Sequence, residues 1–487
     1  MHREEETIIG RREFINKSVR TVGALGFGSG LLSLSGCSNN FSTDKNRPNI
    51  ILITADDMGW KDLSCYGNQD IHTKSIDSLA KGGVKFTNAF VVTSTCSSSR
   101  AGLLTGQYPH TNGVTGLTHR YMTRQLKPFY NPYLPSLLKE AGYNTAILGK
   151  NHVHPYLPTS WYGYNERRTG LGFNDDDWKI EDANESIDYI RKNKNNRFYL
   201  ELNFIQNHRI KKGQFFYDPK FPVDPDKVKV PDYYALPNWK EIREYLAKYY
   251  SQTLKMDYVI GSILKELDSL KLSDNTMIIF MSDNGAPFPG NKLTLYDRGT
   301  GTPVIIRWPK KIKPGYVADN LINSIDIMPT ILDAANIDKP ISVQGKSFWK
   351  NATGESSSWN QDAVFTEMTN HVFYIPTRAV RTKEWKYIRN YSDIAIGLDE
   401  IHREQWAHRL CQLKNQPWIR PRVQEELYYL GDDPNEQKNF VNDTLYTKKL
   451  EQMRFLLNAH MKNTKDPFLN KPFTHDYKES DYKLSKV

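Results

Sequence analysis

The sequence predicts an α/β protein in which helices cover a mainly parallel central sheet, followed by a smaller α+β region with an antiparallel sheet. Three observations lead to this fold class. From Pro48 onward, short apolar runs alternate with longer amphipathic runs, which is the pattern of repeated strand and helix units. The apolar runs end in polar or glycine residues. After about residue 360 the pattern changes to closely spaced β-rich runs, which favours antiparallel pairing.

The first strand of the central sheet is predicted in NIILITADD, where apolar residues are continuous, as expected for a strand buried on both faces. Four later runs have the same β-rich character: YNTAILGK, RFYLELNF, NTMIIFMSDNG and TPVIIRWP. Open parallel sheets bind ligands at the carboxyl ends of their strands, because loops and helix N-termini converge there. We therefore expect functional residues directly after these strands.

Helices are predicted between the strands in TKSIDSLAKGG, LPSLLKEAGY and WKEIREYLAKYYSQTLKMDYVIGSILKELDSL. The later β-rich runs are AVFTEM, TRAVRTKEWKYIRN and ELYYLGDDPNEQKNF, and a closing helix is predicted in YTKKLEQMRFLLNAHM. These patterns predict a large α/β domain over residues 47–360 and a smaller α+β subdomain over residues 361–487.

The amino terminus has the pattern of a targeting segment. Paired arginines, Arg11 and Arg12, precede an apolar stretch diluted by glycine and serine that ends in LSGC at Cys37. Residues 1–36 resemble a twin-arginine export signal joined to a bacterial lipoprotein box, which would make Cys37 the lipidated first residue of the mature chain. A plain signal or an N-terminal helix is the alternative. Residues 37–46 are predicted to be a polar tether, and the protein to be an exported lipoprotein of the cell envelope, at the periplasm or the outer-membrane surface, attached to the membrane only through its lipid.

The composition indicates an ordinary globular protein and excludes fibrous and disordered classes, since 39% of residues are hydrophobic and 25% are charged. The formal net charge of +10 favours a polyanionic partner. Nucleic acid is not the expected partner, because the chain has no zinc-finger spacing, RNP-like aromatic pattern or dense Lys/Arg stripe. Apart from Cys37, the cysteines Cys65, Cys96 and Cys411 are too few and too widely spaced to imply a disulfide framework.

Polar pairs follow three of the predicted strands. Asp56 and Asp57 follow the first strand, Asp283 and Asn284 follow MIIFMS, and Lys150 with His152 follows AILG. One Asp-Asp pair would more often be a turn or a helix cap. Two such pairs at equivalent strand ends favour a metal site, and their oxygen ligands suit Ca²⁺ or Mg²⁺ better than zinc.

Cys96 precedes SSSRAGLLTG, a short run with helical character. Its side chain is therefore predicted at a helix N-terminus, where backbone N–H groups favour negative charge. Arg100 lies one turn later on the same face and could hold the group at position 96 together with its ligand. From these residues alone, an activated thiolate nucleophile would also fit, and a buried inert thiol is the commoner case for an unpaired cysteine.

Several motifs together carry a family resemblance. CSSSRAGLLTG resembles the type I sulfatase signature, in which the cysteine is converted to formylglycine, and ADDMG, GYNTAILGKNH and SDNGAPFPGNK resemble other blocks of that family in the same order. The similarity extends from about Pro48 to ELYYLGDDPNEQKN. GKNHV, SDNGAPFP and DPNEQKN are most similar to the heparan N-sulfatase (sulfamidase) branch. The resemblance implies an alkaline-phosphatase-like α/β/α sandwich.

The resemblance also implies roles for individual residues. Calcium, or Mg²⁺ as the less favoured choice, would be bound by Asp56, Asp57, Asp283, Asn284 and the formylglycine at position 96. Arg100 would steady the formylglycine, and Lys150 and Lys292 would bind sulfate oxygens. His152 would deprotonate a formylglycine hydroxyl, and His208 would protonate the leaving group. His154, His119 and Arg120 are further candidates for substrate contacts, with surface or structural roles as the alternative.

In the implied reaction, the hydrated aldehyde attacks sulfur, and its second hydroxyl then expels sulfate and regenerates the aldehyde. A formylglycine-generating enzyme would be the maturation partner. Two positions differ from the family pattern: Ser98 stands where the signature usually has proline, and Lys292 stands where the N-sulfatase branch usually has arginine, as O-sulfatases do.

The expected function is hydrolysis of sulfate esters on a sulfated carbohydrate, such as an algal polysaccharide of the ulvan type or a glycosaminoglycan. N-sulfoglucosamine (heparan) sulfohydrolase activity is one alternative. A non-catalytic lipoprotein that binds sulfated glycans is another. A phosphatase or phosphonate hydrolase of the same fold should have a Thr/Ser nucleophile and a histidine-rich zinc set, and neither accompanies Asp56 or Asp283.

Overall fold

The computed structural model describes residues 47–118, 131–153, 158–167, 180–209, 214–359, 361–371, 373–394, 405–413 and 421–476. The predicted export signal of residues 1–36, the tether and Cys37 lie outside these residues. By its contacts the chain divides after Thr43, and residues 44–487 form one compact unit. Within the described part, no helix combines the length and apolarity needed to cross a membrane.

The strands are β1 Asn49–Ala55, β2 Val84–Phe90, β3 Asn144–Gly149, β4 Glu166–Arg167, β5 Phe198–Phe204, β6 Thr276–Ser282, β7 Val304–Arg307, β8 Tyr316–Asn323, β9 Val364–Asn370, β10 Tyr374–Arg381, β11 Trp385–Asn390 and β12 Glu425–Tyr429. The helices are α1 Lys74–Lys81, α2 Cys96–Thr105, α3 Pro109–Asn112, α4 Leu134–Glu140, α5 Asn184–Asn193, α6 Lys240–Ser269, α7 Asp297–Thr300, α8 Ile327–Ala334, α9 Trp349–Ala352, α10 Gln405–Cys411 and α11 Thr447–Asn463.

The central sheet has eight strands in the order β4-β3-β5-β1-β6-β7-β2-β8. Its pairs are parallel except where β7 meets β6 and β2. The predicted mainly parallel sheet is therefore confirmed. For β7 the expectation that the strand end lies at the ligand edge is wrong, because this strand runs in the opposite direction and ends at the other edge.

Helices pack on both faces of this sheet. Alternate residues of β1 belong to two different cores: Ile50 lies with residues of α2, α4 and α8, whereas Ile51 lies with residues of α1 and α6. The continuous apolar sequence of β1 follows from this burial on both faces. Each large aliphatic side chain buried in these layers contributes about 1.5–3 kcal/mol to folding.

The second sheet has the order β12-β11-β10-β9 and is antiparallel throughout. One of its faces packs on α11 through residues such as Leu450 and Leu457. Its other face packs on the segment around Leu293 and Tyr296, which follows β6. This confirms the predicted antiparallel α+β region, which starts at Val364, while the exact domain boundary at residue 360 stays a prediction.

Candidate active site

The predicted polar residues meet at one edge of the central sheet. Strands β3, β5, β1 and β6 are neighbours in this order, so their carboxyl ends adjoin. Backbone hydrogen bonds continue the ladder just past the strands: the N–H groups of Asp56, Lys150 and Asp283 donate to the carbonyls of Phe204 (2.9 Å), Asn203 (3.0 Å) and Ala55 (3.0 Å). The sheet thus fixes the backbone from which these side chains project.

Asp56, Asp57, Asp283 and Asn284 form a buried acidic cluster, in which no residue is more than 1% exposed. The Asp57 N–H donates to Asp283 Oδ1 at 3.1 Å, and Asn284 Nδ2 donates to Asp57 Oδ1 at 2.7 Å. Asp57 has a φ of 61°, a left-handed conformation that aspartate tolerates better than most residues. The turn after β1 therefore directs two adjacent carboxylates into one small volume.

This cluster fits a hard divalent cation. Among the described residues, Asp56 Oδ1 and Asn284 Oδ1 are buried oxygens without a hydrogen-bond partner, and a buried unsatisfied oxygen is costly unless something else binds it. Asp56, Asp57 and His208 offer ligand atoms that all lie within 4.8 Å of one another. The other donors are carboxylate and amide oxygens, which suit Ca²⁺ or Mg²⁺.

Three cationic side chains enclose the acidic cluster. Arg100 Nε lies 2.7 Å from Asp283 Oδ2, Lys292 Nζ lies 2.8 Å from Asp57, and Lys150 Nζ contacts Asp56. Three cations thus face three carboxylates, and a bound divalent ion would give the site a net positive charge that favours an anionic substrate. Arg100 Nη1 and Nη2 are buried and have no hydrogen-bond partner in the described part of the chain.

The charges of this site perturb its titrating groups. Burial raises the pKa of Asp56. The surrounding cations, led by Lys150, lower it by a larger amount, so the pKa lies well below its usual range. Burial raises the pKa of Asp283 well above its usual range; Arg100 opposes this shift and repulsion from Asp56 adds to it. A cation bound between these two neighbouring carboxylates would reduce the repulsion between them, which contributes to the raised pKa of Asp283.

Cys96 is the first residue of α2 and is 1% exposed. Burial raises the pKa of its thiol, whereas Lys150, Lys292 and a hydrogen bond from His371 lower it, with a net decrease to about 7. The structure therefore places Cys96 at a helix N-terminus, as the sequence predicts.

The remaining predicted residues differ in how directly they reach the cluster. His208 Nε2 lies 3.8 Å from Asp57 Oδ2, and its Nδ1 lies 2.6 Å from the carbonyl of Arg209. His152 is 6% exposed, and its carbonyl accepts a hydrogen bond from Thr118 at 3.1 Å. The three further candidates for substrate contacts, His119, Arg120 and His154, lie outside the described residues.

Comparison with known proteins identifies the family. The profile described as sulfatase matches residues 48–337, which is more than half of the chain. The chain belongs to the sulfatase family. A second profile, described as the C-terminal part of N-sulphoglucosamine sulphohydrolase, matches residues 290–399. The predicted family and its sulfamidase-like branch are confirmed, and this sulfatase is a hydrolase of sulfate esters.

Characterised relatives cover most of the sulfatase. An ulvan-active sulfatase of Formosa agariphila is 31% identical over 426 residues, which span 85% of this chain and 79% of that protein. Human N-sulphoglucosamine sulphohydrolase is 29% identical over 471 residues, which span 87% of this chain and 92% of the human one.

Solved structures agree on the fold. A 2-O GAG sulfatase superposes with a TM-score of 0.68 at 23% identity, covering 88% of this chain and 95% of that one. At this identity the similarity establishes the fold alone. The α/β/α sandwich with an additional antiparallel sheet is therefore an architecture that known sulfatases have.

A set of tyrosines supports the turn that carries Asp57, and the sequence-based predictions do not include it. Asp62 accepts hydrogen bonds from Gly59 N at 2.8 Å and from Tyr249 Oη at 2.6 Å, and Tyr234 Oη reaches the same carboxylate at 2.6 Å. Tyr249 Oη also donates to the carbonyl of Asp57 at 3.2 Å. Outer residues that fix metal ligands often matter for binding, but these tyrosines lie in distant segments and form no motif.

His371 is the other residue of the site that no sequence pattern indicated. It follows β9 of the antiparallel sheet, is 7% exposed and contributes to lowering the pKa of the Cys96 thiol. The rule that ligands meet at strand ends applies to open parallel sheets and gives no reason to place an antiparallel strand end at the same site.

Proposed function

We propose that this sulfatase hydrolyses sulfate esters of a sulfated carbohydrate, with a formylglycine made from Cys96 and with Ca²⁺, rather than Mg²⁺, as the metal. The main support is one observation: Cys96 lies buried at the start of α2 among Arg100, Lys150, Lys292 and the acidic cluster. The names of the ulvan-active and N-sulphoglucosamine relatives support a carbohydrate substrate, as does the positive net charge.

Asp56, Asp57, Asp283 and Asn284 would hold the calcium ion. Their buried oxygens without partners give the ion a place, and Ca²⁺ accepts six to eight oxygen ligands in flexible geometry. Residue 96 in its mature form would complete the set. Within the cluster the ion would offset the repulsion between the carboxylates of Asp56 and Asp283.

Formylglycine fits position 96 because the side chain there is small, buried and surrounded by hydrogen-bond donors. As a hydrated aldehyde it supplies a hydroxyl nucleophile and a second hydroxyl that can expel sulfate. Arg100, whose Nη atoms have no partner among the described residues, would hold residue 96 in place. Lys150 and Lys292 would bind the sulfate oxygens and balance their charge as the S–O bond breaks.

Two histidines would transfer protons. His152 would take the proton of a hydroxyl on residue 96. His208 would donate a proton to the leaving oxygen of the sugar. The His208 Nδ1 contact with the carbonyl of Arg209 requires a proton on Nδ1, so the Nε2 that faces the cluster is the nitrogen that can exchange a proton with the substrate.

The proposal is tested by measuring sulfate release from a panel that includes ulvan oligosaccharides, O-sulfated glucosamine and N-sulfated glucosamine. Wild-type protein should release sulfate from at least one O-sulfated sugar, while Cys96→Ala should release none and His208→Ala far less. Full activity in Cys96→Ala would contradict the mechanism.

N-sulfoglucosamine hydrolysis is the second candidate, because the human relative and the C-terminal profile carry that name. Lys292, where that branch usually has arginine, favours O-sulfate instead. The same panel separates the two: release from N-sulfated glucosamine alone would establish the second candidate.

A non-catalytic role in binding sulfated glycans would require Cys96 to stay a thiol. Ser98, at the position where the signature usually has proline, is buried and donates to the carbonyl of Gly116 at 3.3 Å. We expect the formylglycine-generating partner to accept this site. Mass spectrometry of the peptide containing Cys96, purified from the native host, should find formylglycine, and an unmodified thiol in all molecules would leave only the binding role.

We also propose that the protein is exported and anchored through a lipid on Cys37, with no other membrane attachment. The motif of residues 1–37 supports this. Labelled palmitate should be incorporated into the wild-type protein and not into Cys37→Ser. Equal labelling of both would exclude Cys37 as the lipid site.

A further inference from the structure

Lys150 leaves strand β3 beside the end of strand β5. The register of the sheet places Gly149 opposite Asn203. The Lys150 N–H donates to the carbonyl of Asn203 at 3.0 Å, and Asn203 Nδ2 donates to the carbonyl of Lys150 at 2.9 Å. Both polar groups of the Lys150 main chain are therefore bonded to one residue of the neighbouring strand.

The turn at Gly149 is built against the same residue. Gly149 has a φ of 85°, in the left-handed region that favours glycine. A Cβ atom at this position would lie 2.1 Å from the carbonyl oxygen of Asn203, so no side chain fits. From this turn the Lys150 side chain reaches the acidic cluster, where its Nζ contacts Asp56. The direction of the Lys150 side chain therefore depends on where Asn203 lies.

The side chain of Asn203 is held by Glu201, which lies two residues earlier on the same face of β5. Asn203 Nδ2 donates to Glu201 Oε1 at 2.7 Å. Since this atom faces a carboxylate as well as the Lys150 carbonyl, it is the amide nitrogen and not the amide oxygen. Glu201 Oε2 accepts hydrogen bonds from Tyr199 Oη at 2.9 Å and from Tyr164 Oη. A continuous series of hydrogen bonds thus connects two tyrosines to the main chain of Lys150.

Glu201 and Asn203 interrupt the apolar sequence of β5, and they are only 3% and 2% exposed. Burying a carboxylate costs free energy unless hydrogen bonds replace those to water, and well-packed apolar side chains are often at least as stabilising at buried positions. A buried polar network with matched donors and acceptors holds its members in one arrangement. The rigidity that this network provides lies at the end of β5, next to Lys150.

We propose that Asn203, held by Glu201, is a positioning residue that fixes Lys150 for binding the sulfate group of the substrate. The inference rests on the proposed function, which makes Lys150 a sulfate-binding residue. In this role Asn203 acts only through Lys150. Because Lys150 is 1% exposed, its side chain has little freedom to compensate for a shift of its main chain. A displaced main chain would move Nζ away from the position of the sulfate oxygens.

Binding of inorganic sulfate, measured from the rise in Tm with sulfate concentration, tests this role. Asn203→Ala removes the amide and should lower the affinity for sulfate about fivefold, as expected for the loss of one hydrogen bond. On the O-sulfated sugar that the wild type hydrolyses best, KM should rise by a similar factor and kcat should change less.

Asn351→Ala is the matched control. The buried amide of Asn351 also donates to two acceptors, the carbonyls of Ser356 at 3.1 Å and Ser358 at 3.0 Å, in the segment after α9. Its loss should leave the affinity for sulfate unchanged.

A double-mutant cycle shows whether Asn203 acts through Lys150. In the Lys150→Met background, Asn203→Ala should change sulfate affinity by less than about twofold, because the side chain that Asn203 positions is gone. An unchanged affinity in Asn203→Ala alone, or an equal decrease in both backgrounds, would overturn the proposal.

Variants of Glu201 give a further comparison, which decides the role of this network if Asn203→Ala does not fold. Glu201→Gln keeps an oxygen that can accept from Asn203 and should bind sulfate within about twofold of the wild type, whereas Glu201→Leu should lose affinity as Asn203→Ala does. Equal sulfate affinities of the two Glu201 variants would overturn the proposal. If the wild type releases sulfate from none of the sugars, the proposed function is wrong, and the sulfate affinities still decide the role of Asn203.

Discussion

At the scale of single residues, the position of Lys292 depends on its strained neighbour. Leu293 has a φ of 71°, a left-handed conformation that costs a non-glycine residue about 1–2 kcal/mol. Its N–H donates to both the carbonyl (3.3 Å) and the Oγ (3.0 Å) of Ser94, two residues before Cys96. Ser94 thereby joins the loop of Lys292 to the segment that contains Cys96.

Ser94→Ala should remove the hydrogen bond between the Leu293 N–H and the Ser94 Oγ, and it should thereby weaken sulfate binding by Lys292. Losing one buried hydrogen bond of about 1 kcal/mol should raise KM by about fivefold, with a smaller effect on kcat. Steady-state kinetics on an O-sulfated sugar measures both. Ser78→Ala, at an exposed serine that bonds only within its own helix, is the control, and an equal rise of KM in both variants would refute the role of Ser94.

The acidic cluster leads to a prediction about calcium. Saturating Ca²⁺ should raise the free energy of unfolding of the wild type, by about 2.7 kcal/mol at one hundred times the dissociation constant. Asp56→Asn removes one charge from the proposed ligand set and should reduce this increase. Urea unfolding with and without Ca²⁺, and with Mg²⁺ for comparison, measures it. Asp226→Asn, on an exposed loop, should respond like the wild type. A full response in Asp56→Asn would contradict the proposed ligand set.

At the scale of secondary-structure elements, helix α1 depends on a carboxylate supplied by another helix. Asp257 of α6 accepts hydrogen bonds from the N–H groups of Ser75 (3.0 Å) and Ile76 (2.8 Å) in the first turn of α1. Thr73, which precedes the helix, makes no side-chain cap. The first N–H groups of a helix have no partner within the helix. Asp257 therefore caps the N-terminus of α1 and also links α1 to α6, which lie on the same face of the sheet.

Asp257→Ala should therefore destabilise the protein more than an ordinary substitution on a helix. One buried and one part-buried N–H group would lose their acceptor, which predicts a decrease in unfolding free energy of about 1–3 kcal/mol. Chemical denaturation measures the change. Glu244→Ala, at an exposed position of the same helix, should change it by less than about 0.5 kcal/mol, and similar values for the two variants would argue against capping by Asp257.

At the scale of the whole molecule, the features that depend on the parallel sheet were the most predictable from sequence. Asp56, Asp283 and Lys150 could be placed together from the sequence alone, because carboxyl ends of neighbouring parallel strands share an edge. His371 could not, because its position depends on how the second sheet packs against the segment around Leu293 and Tyr296. That packing arises from side-chain shape between distant segments, which no local pattern encodes.

The less regular strands show the same limit. β8 exposes its first residues and buries its last ones, and β2 mixes buried with half-buried positions. Neither has a continuous apolar run or a strict alternation, so neither was predicted. Their pairing with each other and with β7 places them in the sheet, and this pairing is a tertiary property.

A buried ion cluster links the antiparallel sheet to the central part of the molecule. His110 of α3 lies 2.5 Å from Glu367 of β9, and Arg378 of β10 pairs with Asp466 through two contacts, at 2.5 and 3.1 Å. The second ring nitrogen of His110 lies 3.2 Å from the carbonyl of Thr464. Since both ring nitrogens face acceptors, the cationic imidazole is the form that satisfies them. Each carboxylate already has a cation, so this cluster does not need a metal.

Stability from the pair of His110 and Glu367 should depend on pH in two directions. Burial lowers the pKa of His110, but Glu367 raises it more, to a net value above 6.5. The raised pKa of His110 gives stability that is complete below pH 6.5 and is lost as pH rises through the pKa of the folded state.

For Glu367 the direction is opposite. Burial raises the pKa of Glu367, whereas His110 and Arg378 lower it to about 2. That contribution is present above the unfolded value of 4.5 and is lost as pH falls towards 2. Burial lowers the pKa of nearby His460 to about 4, so this histidine is mainly neutral between pH 4.5 and 6.5.

The pair should therefore be coupled most strongly between pH 4.5 and 6.5. A double-mutant cycle of His110→Gln and Glu367→Gln, followed by urea unfolding, should give a coupling energy of about 1–3 kcal/mol in this pH range. The coupling energy should be smaller at about pH 10, where the imidazole is neutral. A cycle on the surface pair of Arg191 and Glu266 is the control, because arginine keeps its charge over this range. Coupling between His110 and Glu367 that is equal at both pH values would mean that the contact between α3 and β9 is an uncharged hydrogen bond.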